Sequence, residues 1–133
     1  AEQGFHIFSG HMNESLAGVE DEKERLRSIC RGYLRFGLEH PGLLKVMFGS
    51  GLASLVPTSR EGGEAYNILR DVCAPFVPEG QNPQIVELQV WSLIHGFTTL
   101  SVSGEFGSPS PSLEDGPFEQ VIALLGRVGT LGE

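Results

Sequence analysis

The sequence predicts an all-α fold, a bundle of five or six helices. Apolar side chains recur at the three- and four-residue spacing of a helical face in five segments, the longest being Ile85 to Val102. Prolines punctuate these segments, as at Pro41 and Pro83, where helices are expected to stop or start. At 133 residues the chain has the size of one domain and is long enough to bury a core.

The composition favours a soluble globular protein. Hydrophobic residues make up 40% of the chain and charged residues 20%, and no apolar run reaches the roughly 20 residues that a membrane helix requires. The net charge of −8 argues against this chain alone binding nucleic acid through phosphate contacts. Cys30 and Cys73 lie within apolar helical patterns, which is typical of free buried thiols, so a reducing cytoplasm is the expected location.

Residues 1–19 show no coherent pattern. Gly10, His11 and Met12 resemble the scar left when a tag is cleaved, which is the favoured interpretation. Alternatively, residues 5–10 are the end of a preceding domain. The folded domain is therefore expected over residues 20–133.

The first predicted helix runs from about Glu20 to His40. Acidic residues crowd its start and basic residues its later turns, which the helix dipole favours. The stripe of Arg27, Arg31 and Arg35 could bind phosphate, but a solvated face is the favoured interpretation. The buried face is expected to hold the apolar residues and one glycine: Leu26, Ile29, Cys30, Tyr33, Phe36 and Gly37.

Two further helices are predicted before residue 80. Pro41 ends the first helix and opens a short one that presents Leu43, Leu44, Met47 and Phe48. After a loop rich in Gly, Ser and Pro, another helix is expected from about Arg60 to Phe76. Its wide apolar stripe comprises Ala65, Tyr66, Ile68, Leu69, Val72, Cys73 and Phe76.

Asn82 and Pro83 are a good start signal for the central helix, which should reach about Ser103. Its apolar residues wrap more than one face, as expected of a helix that packs on several sides. Trp91 and His95, four residues apart, should project side by side. The last helix is expected to begin near Asp115 or Pro117 and to present Phe118, Val121, Ile122, Leu124, Leu125 and Val128.

The sequence carries few signs of chemistry. His6, His11, His40 and His95 lack the paired spacing of zinc sites, and no phosphate-binding loop, dinucleotide fingerprint or nucleophile elbow occurs. We therefore expect no metal, no cofactor and no enzymatic activity. A mainly apolar pocket between helices is expected instead, with His95 as its polar contact, although a core histidine is the plainer interpretation.

Two stretches resemble a known family. YLRFGLEHPGLLKVMFG (residues 33–49) and VWSLIHGFTTL (residues 90–100) are similar to the C-terminal regulatory domain of TetR-type transcriptional regulators, in the subgroup marked by Trp and then His-Gly in the penultimate helix. The resemblance covers about residues 21–131. The chain departs from the family in lacking a recognisable helix-turn-helix, which suggests that it is a piece of a longer protein.

This resemblance implies a homodimer that pairs through its last two helices and binds a small, largely apolar or aromatic effector inside each subunit. DNA would be contacted only by a helix-turn-helix outside this chain, and no membrane is involved. The implied ligand-binding residues are Tyr33, Phe36, Met47, Phe48, Tyr66, Leu69, Cys73, Trp91 and His95. The implied dimer interface comprises Gly96, which would permit close helix approach, with Leu100, Phe118, Val121, Ile122 and Leu125. The alternative function is a stand-alone helical homodimeric interaction module without a ligand.

Overall fold

The computed structural model describes residues 2–48, 60–103 and 117–127, and within those ranges the chain is helical without strands. The helices are α1 (Glu2–Leu16), α2 (Glu22–Glu39), α3 (Pro41–Phe48), α4 (Arg60–Cys73), α5 (Pro83–Ser103) and α6 (Pro117–Ile122). Short 3₁₀ turns, Ala74–Phe76 and Ala123–Arg127, continue α4 and α6. The all-α prediction is confirmed. None of the described helices is both long and apolar enough to cross a membrane.

Capping residues and prolines lie at the observed helix ends, and Pro41 and Asn82 among them are predicted signals. Asp21 caps α2, because its carboxylate accepts a hydrogen bond from the Glu24 backbone N–H at 3.0 Å. Asn82 does the same for α5, where the Gln84 N–H donates to its side-chain oxygen at 3.0 Å. Pro41 opens α3 directly after α2 ends. Local chemistry therefore sets these boundaries.

Helix α1 is an element that the sequence analysis did not predict. Phe8 and Met12 lie four residues apart on one face of α1 and are buried. Helix α1 packs against α2 and α4. Gly32 of α2 permits the close approach, since a Cβ there would meet the Ser15 side chain and the His11 carbonyl. The folded core thus extends into residues 1–19, whatever their origin.

Helix α5 packs against α2, α4 and α6. One side of it is buried against α2 and α4, with Val86, Val90 and Ile94 at most 3% exposed. At Gly37 of α2 an added Cβ would overlap the methyl group of Thr98, so α2 and α5 are in close contact there. Within the described residues the other side of α5 is exposed, so the predicted packing on several sides is not found there.

Ion pairs and an aromatic ring attach α6 to α2. Arg27 and Arg31 each bind a carboxylate oxygen of Glu119 at 2.9 Å. The Arg31 guanidinium also lies 5.1 Å from the ring centroid of Phe118, which is fully buried. Arg27 and Arg31, which the sequence places on a solvated face of α2, therefore pair with Glu119 of α6.

Candidate functional site

A hydrogen-bonded group of three aromatic side chains lies between α2 and α5. The hydroxyl of Tyr33 lies 2.6 Å from Nδ1 of His95. Tyr33 also forms a hydrogen bond with the side chain of Trp91. Because indole nitrogen can only donate, Trp91 donates to the Tyr33 oxygen. A neutral His95 that accepts from Tyr33 at Nδ1 carries its proton on Nε2. This arrangement leaves Nε2 as a hydrogen-bond donor.

Burial keeps these groups uncharged. Desolvation lowers the pKa of His95 below its ordinary value of 6.5, because burial disfavours the imidazolium. Desolvation also raises the pKa of Tyr33 well above its ordinary value, an effect that the hydrogen bond with Trp91 partly offsets. The group is therefore a neutral network near pH 7.

A buried carboxylate forms a second polar group between α4 and α5. Glu87 is only 2% exposed, and Tyr66 donates its hydroxyl proton to Oε1 of Glu87 at 2.5 Å. Nε of Arg70 lies 3.8 Å from the other carboxylate oxygen, and its guanidinium lies 5.3 Å from the Tyr66 ring centroid. Burial raises the pKa of Tyr66, and its hydrogen bond to Glu87 raises it further. Glu87 thus has partners on both oxygens.

The two groups are adjacent. The rings of Tyr66 and Trp91 meet edge to face, with centroids 6.1 Å apart. Cys73, fully buried on α4, has its thiol pKa raised to about 12 by burial and then by the charge of Glu87. Together the two groups make a polar cluster, defined here as Tyr33, Tyr66, Glu87, Trp91 and His95, within an apolar three-helix interior. Such a cluster can donate and accept hydrogen bonds toward a small molecule.

Four of the nine predicted ligand-binding residues meet in this cluster, namely Tyr33, Tyr66, Trp91 and His95. Leu69 is half-buried against the core and Cys73 is buried. Phe36 is fully buried elsewhere, in contact with the rings of Phe8, His11 and His40. The side chains of Met47 and Phe48 lie outside the described residues.

Three of the six predicted dimer-interface residues are interior residues. Phe118, Ile122 and Leu125 are at most 7% exposed within one subunit, because α6 packs them against its own core. Val121 is half-buried. Apolar periodicity identified the buried face of α6 without indicating which helix covers it.

The exposed side of α5 is also apolar. Leu88 is 58% and Leu100 46% exposed, and Ile85 lies on the same side. Gly96 lies between the two leucines, and a Cβ there would meet nothing within 4 Å. No close helix approach therefore occurs at Gly96 among the described residues. Leu124, just after α6, is exposed as well.

A separate cavity of about 430 Å³ lies between the start of α2 and the two 3₁₀ turns. Its apolar lining includes Leu26, Phe76 and Leu125, and Lys23 and Arg27 supply positive charge. Of the predicted ligand-binding residues whose side chains the structure describes, none lines this cavity.

The family follows from comparison with known domains. The family model described as the Tetracyclin repressor-like, C-terminal domain matches residues 26–125, a range that includes the polar cluster. The chain belongs to this family. TetR-like C-terminal domains are regulatory, act in transcription regulation and are not an enzyme family. No curated protein and no solved structure matches the chain significantly. Membership of the Trp and His-Gly subgroup stays a prediction.

Glu87 is the cluster residue that the sequence analysis missed. A glutamate in a helical pattern is usually assigned to the solvated face, and its partner Tyr66 is on a different helix. The burial of Glu87 could have been expected from its position, because Glu87 lies between Val86 and Val90 and four residues before Trp91.

Proposed function

We propose that this chain is the effector-sensing and dimerisation domain of a TetR-like transcriptional repressor. The domain binds a small, largely apolar or aromatic molecule between α2, α4 and α5, and DNA is bound by a helix-turn-helix outside this chain. The observation that carries the proposal is the polar cluster, enclosed by helices that the family match covers. In the cell such a repressor is cytoplasmic.

The polar cluster supports ligand binding through its chemistry. Small-molecule sites are mainly apolar, with a few polar groups that fix the orientation of the ligand. Trp91 and Leu69 offer apolar surface, while the Tyr33 hydroxyl, His95 and the Tyr66–Glu87 pair offer donors and acceptors. Because these groups are hydrogen-bonded to one another, a ligand must replace the bonds that it breaks. Ligands with a hydroxyl or carbonyl group on an aromatic body meet that condition.

The exposed side of α5 supports dimerisation. Ile85, Leu88 and Leu100 form an apolar surface on one helix, and Leu124 adds to the exposed apolar area. The space beside Gly96 would accommodate a partner helix. A two-fold axis would pair this surface with itself, giving a four-helix interface with the α6 region. Of the six dimer-interface residues that the resemblance implies, the proposed dimer face omits the three that are buried. It comprises Gly96, Leu100 and Val121 from that set, together with Ile85, Leu88 and Leu124.

A thermal-shift screen with aromatic alcohols, phenols and aromatic ketones tests the proposal. A ligand that binds only the folded state raises stability by about 2.7 kcal/mol at 100 times its Kd. We expect the thermal shift to shrink in Tyr66→Phe and in His95→Gln. It should persist in Gln84→Ala, a control that replaces an exposed residue on α5, the helix of His95. A shift that is equal in all four proteins would place the binding site elsewhere, including in the cavity beside Phe76.

The second candidate function is a homodimeric interaction module without a ligand. The exposed leucines of α5 favour it as much as they favour an effector-sensing dimer, since both require a partner subunit. This alternative would be supported if the protein is a stable dimer and no compound in the screen raises its unfolding temperature.

A further inference from the structure

Three metal-ligating side chains meet where α1 passes the end of α2. One ligand atom each of His11, Glu39 and His40 lies within 4.8 Å of the other two. His11 lies within α1 and His40 lies at the corner between α2 and α3, which is why their spacing in the sequence predicts no metal site. We propose that these three residues bind a first-row transition-metal ion such as Zn²⁺.

The two imidazole rings are held by aromatic packing. Their centroids are 5.7 Å apart, with ring planes at 74°. The ring of Phe36, fully buried, lies 5.8 Å from the ring of His11 and 5.6 Å from that of His40. Phe36 thus forms an apolar wall behind both rings, and an apolar shell limits the access of solvent to a metal site.

The backbone at His40 is also fixed. Its N–H donates to the Phe36 carbonyl at 2.8 Å, and its carbonyl accepts from the Leu44 N–H at 3.0 Å. These bonds hold His40 at the corner between α2 and α3. His11 is half-buried within α1, whereas Glu39 is exposed and its side chain can rotate toward the rings. Two ligands are therefore positioned by the fold and the third can adjust.

The ligand set selects the class of metal. Imidazole nitrogen favours Zn²⁺, Co²⁺, Ni²⁺ and Cu²⁺, whereas Mg²⁺ and Ca²⁺ favour oxygen ligands alone. Two histidines and one carboxylate are a known zinc ligand set that leaves one position open for water. Metal–ligand distances of about 2.0–2.2 Å require ligand atoms roughly 3.3 Å apart in a tetrahedron. Ligand atoms that lie up to 4.8 Å apart must therefore close by up to about 1.5 Å, which side-chain rotation supplies.

A bound ion would connect α1 to the α2–α3 corner. The residues that carry this site differ from those of the polar cluster, so the metal site and the effector site can be tested separately. Because the ligands come from separate helices, the ion binds the folded state and raises its stability. Metal availability would then control how firmly α1 is held on the bundle.

Calorimetric titration of the full chain with Zn²⁺ in a non-chelating buffer tests the proposal, with the visible absorption of Co²⁺ as a report on its ligands. We expect saturable binding of one ion per chain. His11→Gln and His40→Gln should each weaken binding by about tenfold or more. His6→Gln, which removes an exposed histidine from the same helix, is the matched control and should bind like the parent.

Circular dichroism of each variant separates lost binding from lost folding. If a histidine variant unfolds, Glu39→Gln decides the question, because Glu39 is exposed and its replacement should weaken binding without affecting the fold. The proposal is overturned if the parent shows no saturable binding. It is equally overturned if a folded His11, His40 or Glu39 variant binds the ion as tightly as the parent.

Discussion

The Tyr33 hydroxyl and Nδ1 of His95 lie 2.6 Å apart and connect α2 to α5 inside the bundle. Tyr33 is only 4% exposed, so its hydroxyl lies in a region with little access to water. The same hydroxyl accepts a hydrogen bond from Trp91. Loss of this one oxygen would remove a hydrogen bond from His95 and another from Trp91.

Tyr33→Phe should therefore destabilise the protein while keeping the ring and its packing against Phe8. We expect the free energy of unfolding to fall by about 1–3 kcal/mol, because two hydrogen bonds are lost at about 0.5–1.5 kcal/mol each. Urea denaturation of the parent and the variant measures the difference. An unchanged midpoint would show that this hydrogen bond does not stabilise the fold.

Stability should also decrease as the pH falls below 6.5. The folded state lowers the pKa of His95, so below its ordinary pKa of 6.5 the unfolded chain binds a proton that the folded chain does not. The free energy of unfolding therefore decreases as the pH falls, until the pH is below the pKa of His95 in the folded protein. His95→Gln should lose less stability than the parent between pH 7 and pH 5, as measured by thermal unfolding. Equal losses in both proteins would contradict the assignment, because they share the other histidines.

The contact between Gly37 and Thr98 gives a prediction about packing. Gly37→Ala should cost about 1–3 kcal/mol, because the new methyl group overlaps that of Thr98. Gly42→Ala is the matched control, since Gly42 is exposed, a Cβ there meets nothing within 4 Å, and helix propensity favours alanine by about 0.5–1 kcal/mol. Adding Thr98→Ser to Gly37→Ala should restore part of the loss in a denaturation series. No restoration would mean that the strain lies elsewhere.

The two thiols should be unreactive in the folded protein. Cys30 and Cys73 are at most 1% exposed, and burial raises the pKa of both thiols, to about 12 for Cys73. Since the thiolate is the reactive form, Ellman's reagent at pH 8 should modify both only as fast as the protein unfolds. Single alanine variants at each position assign the rates. Immediate reaction of either thiol in buffer would contradict the burial described.

The fold could be predicted from the sequence because its signals are local. Asp21, Pro41 and Asn82 act on the backbone next to them, and apolar spacing shows which face of each helix is buried. Helix α1 was not predicted, because glycine and serine interrupt its apolar pattern. Phe8 and Met12 are the buried apolar residues of this helix among those whose burial is described.

The site could be predicted only in part, because its contacts are long-range. Tyr33 and His95, or His11 and His40, meet through the packing of separate helices, which residue spacing does not encode. Glu87 illustrates the same limit, since its burial depends on Tyr66 and Arg70 from another helix. The family resemblance names four residues that the structure brings together, and their role in ligand binding stays a prediction.

The family resemblance assigns Phe118, Ile122 and Leu125 to the dimer face, whereas the structure buries all three within the single chain. Their apolar pattern is real, but the face that it marks covers the subunit's own core. The exposed apolar residues are instead on the other side of α5 and at Leu124.

Helix α5 thus has a polar cluster on its inner side and an apolar outer side, and the proposed function requires both. Sedimentation equilibrium at micromolar concentration tests this most directly. The parent should be a dimer, and Leu100→Glu should be a folded monomer, because a carboxylate would be buried in the interface. Asn67→Glu, which makes the same charge change on the exposed side of α4, should remain a dimer. A monomeric parent, or a Leu100→Glu variant that is still a dimer, would contradict the proposal.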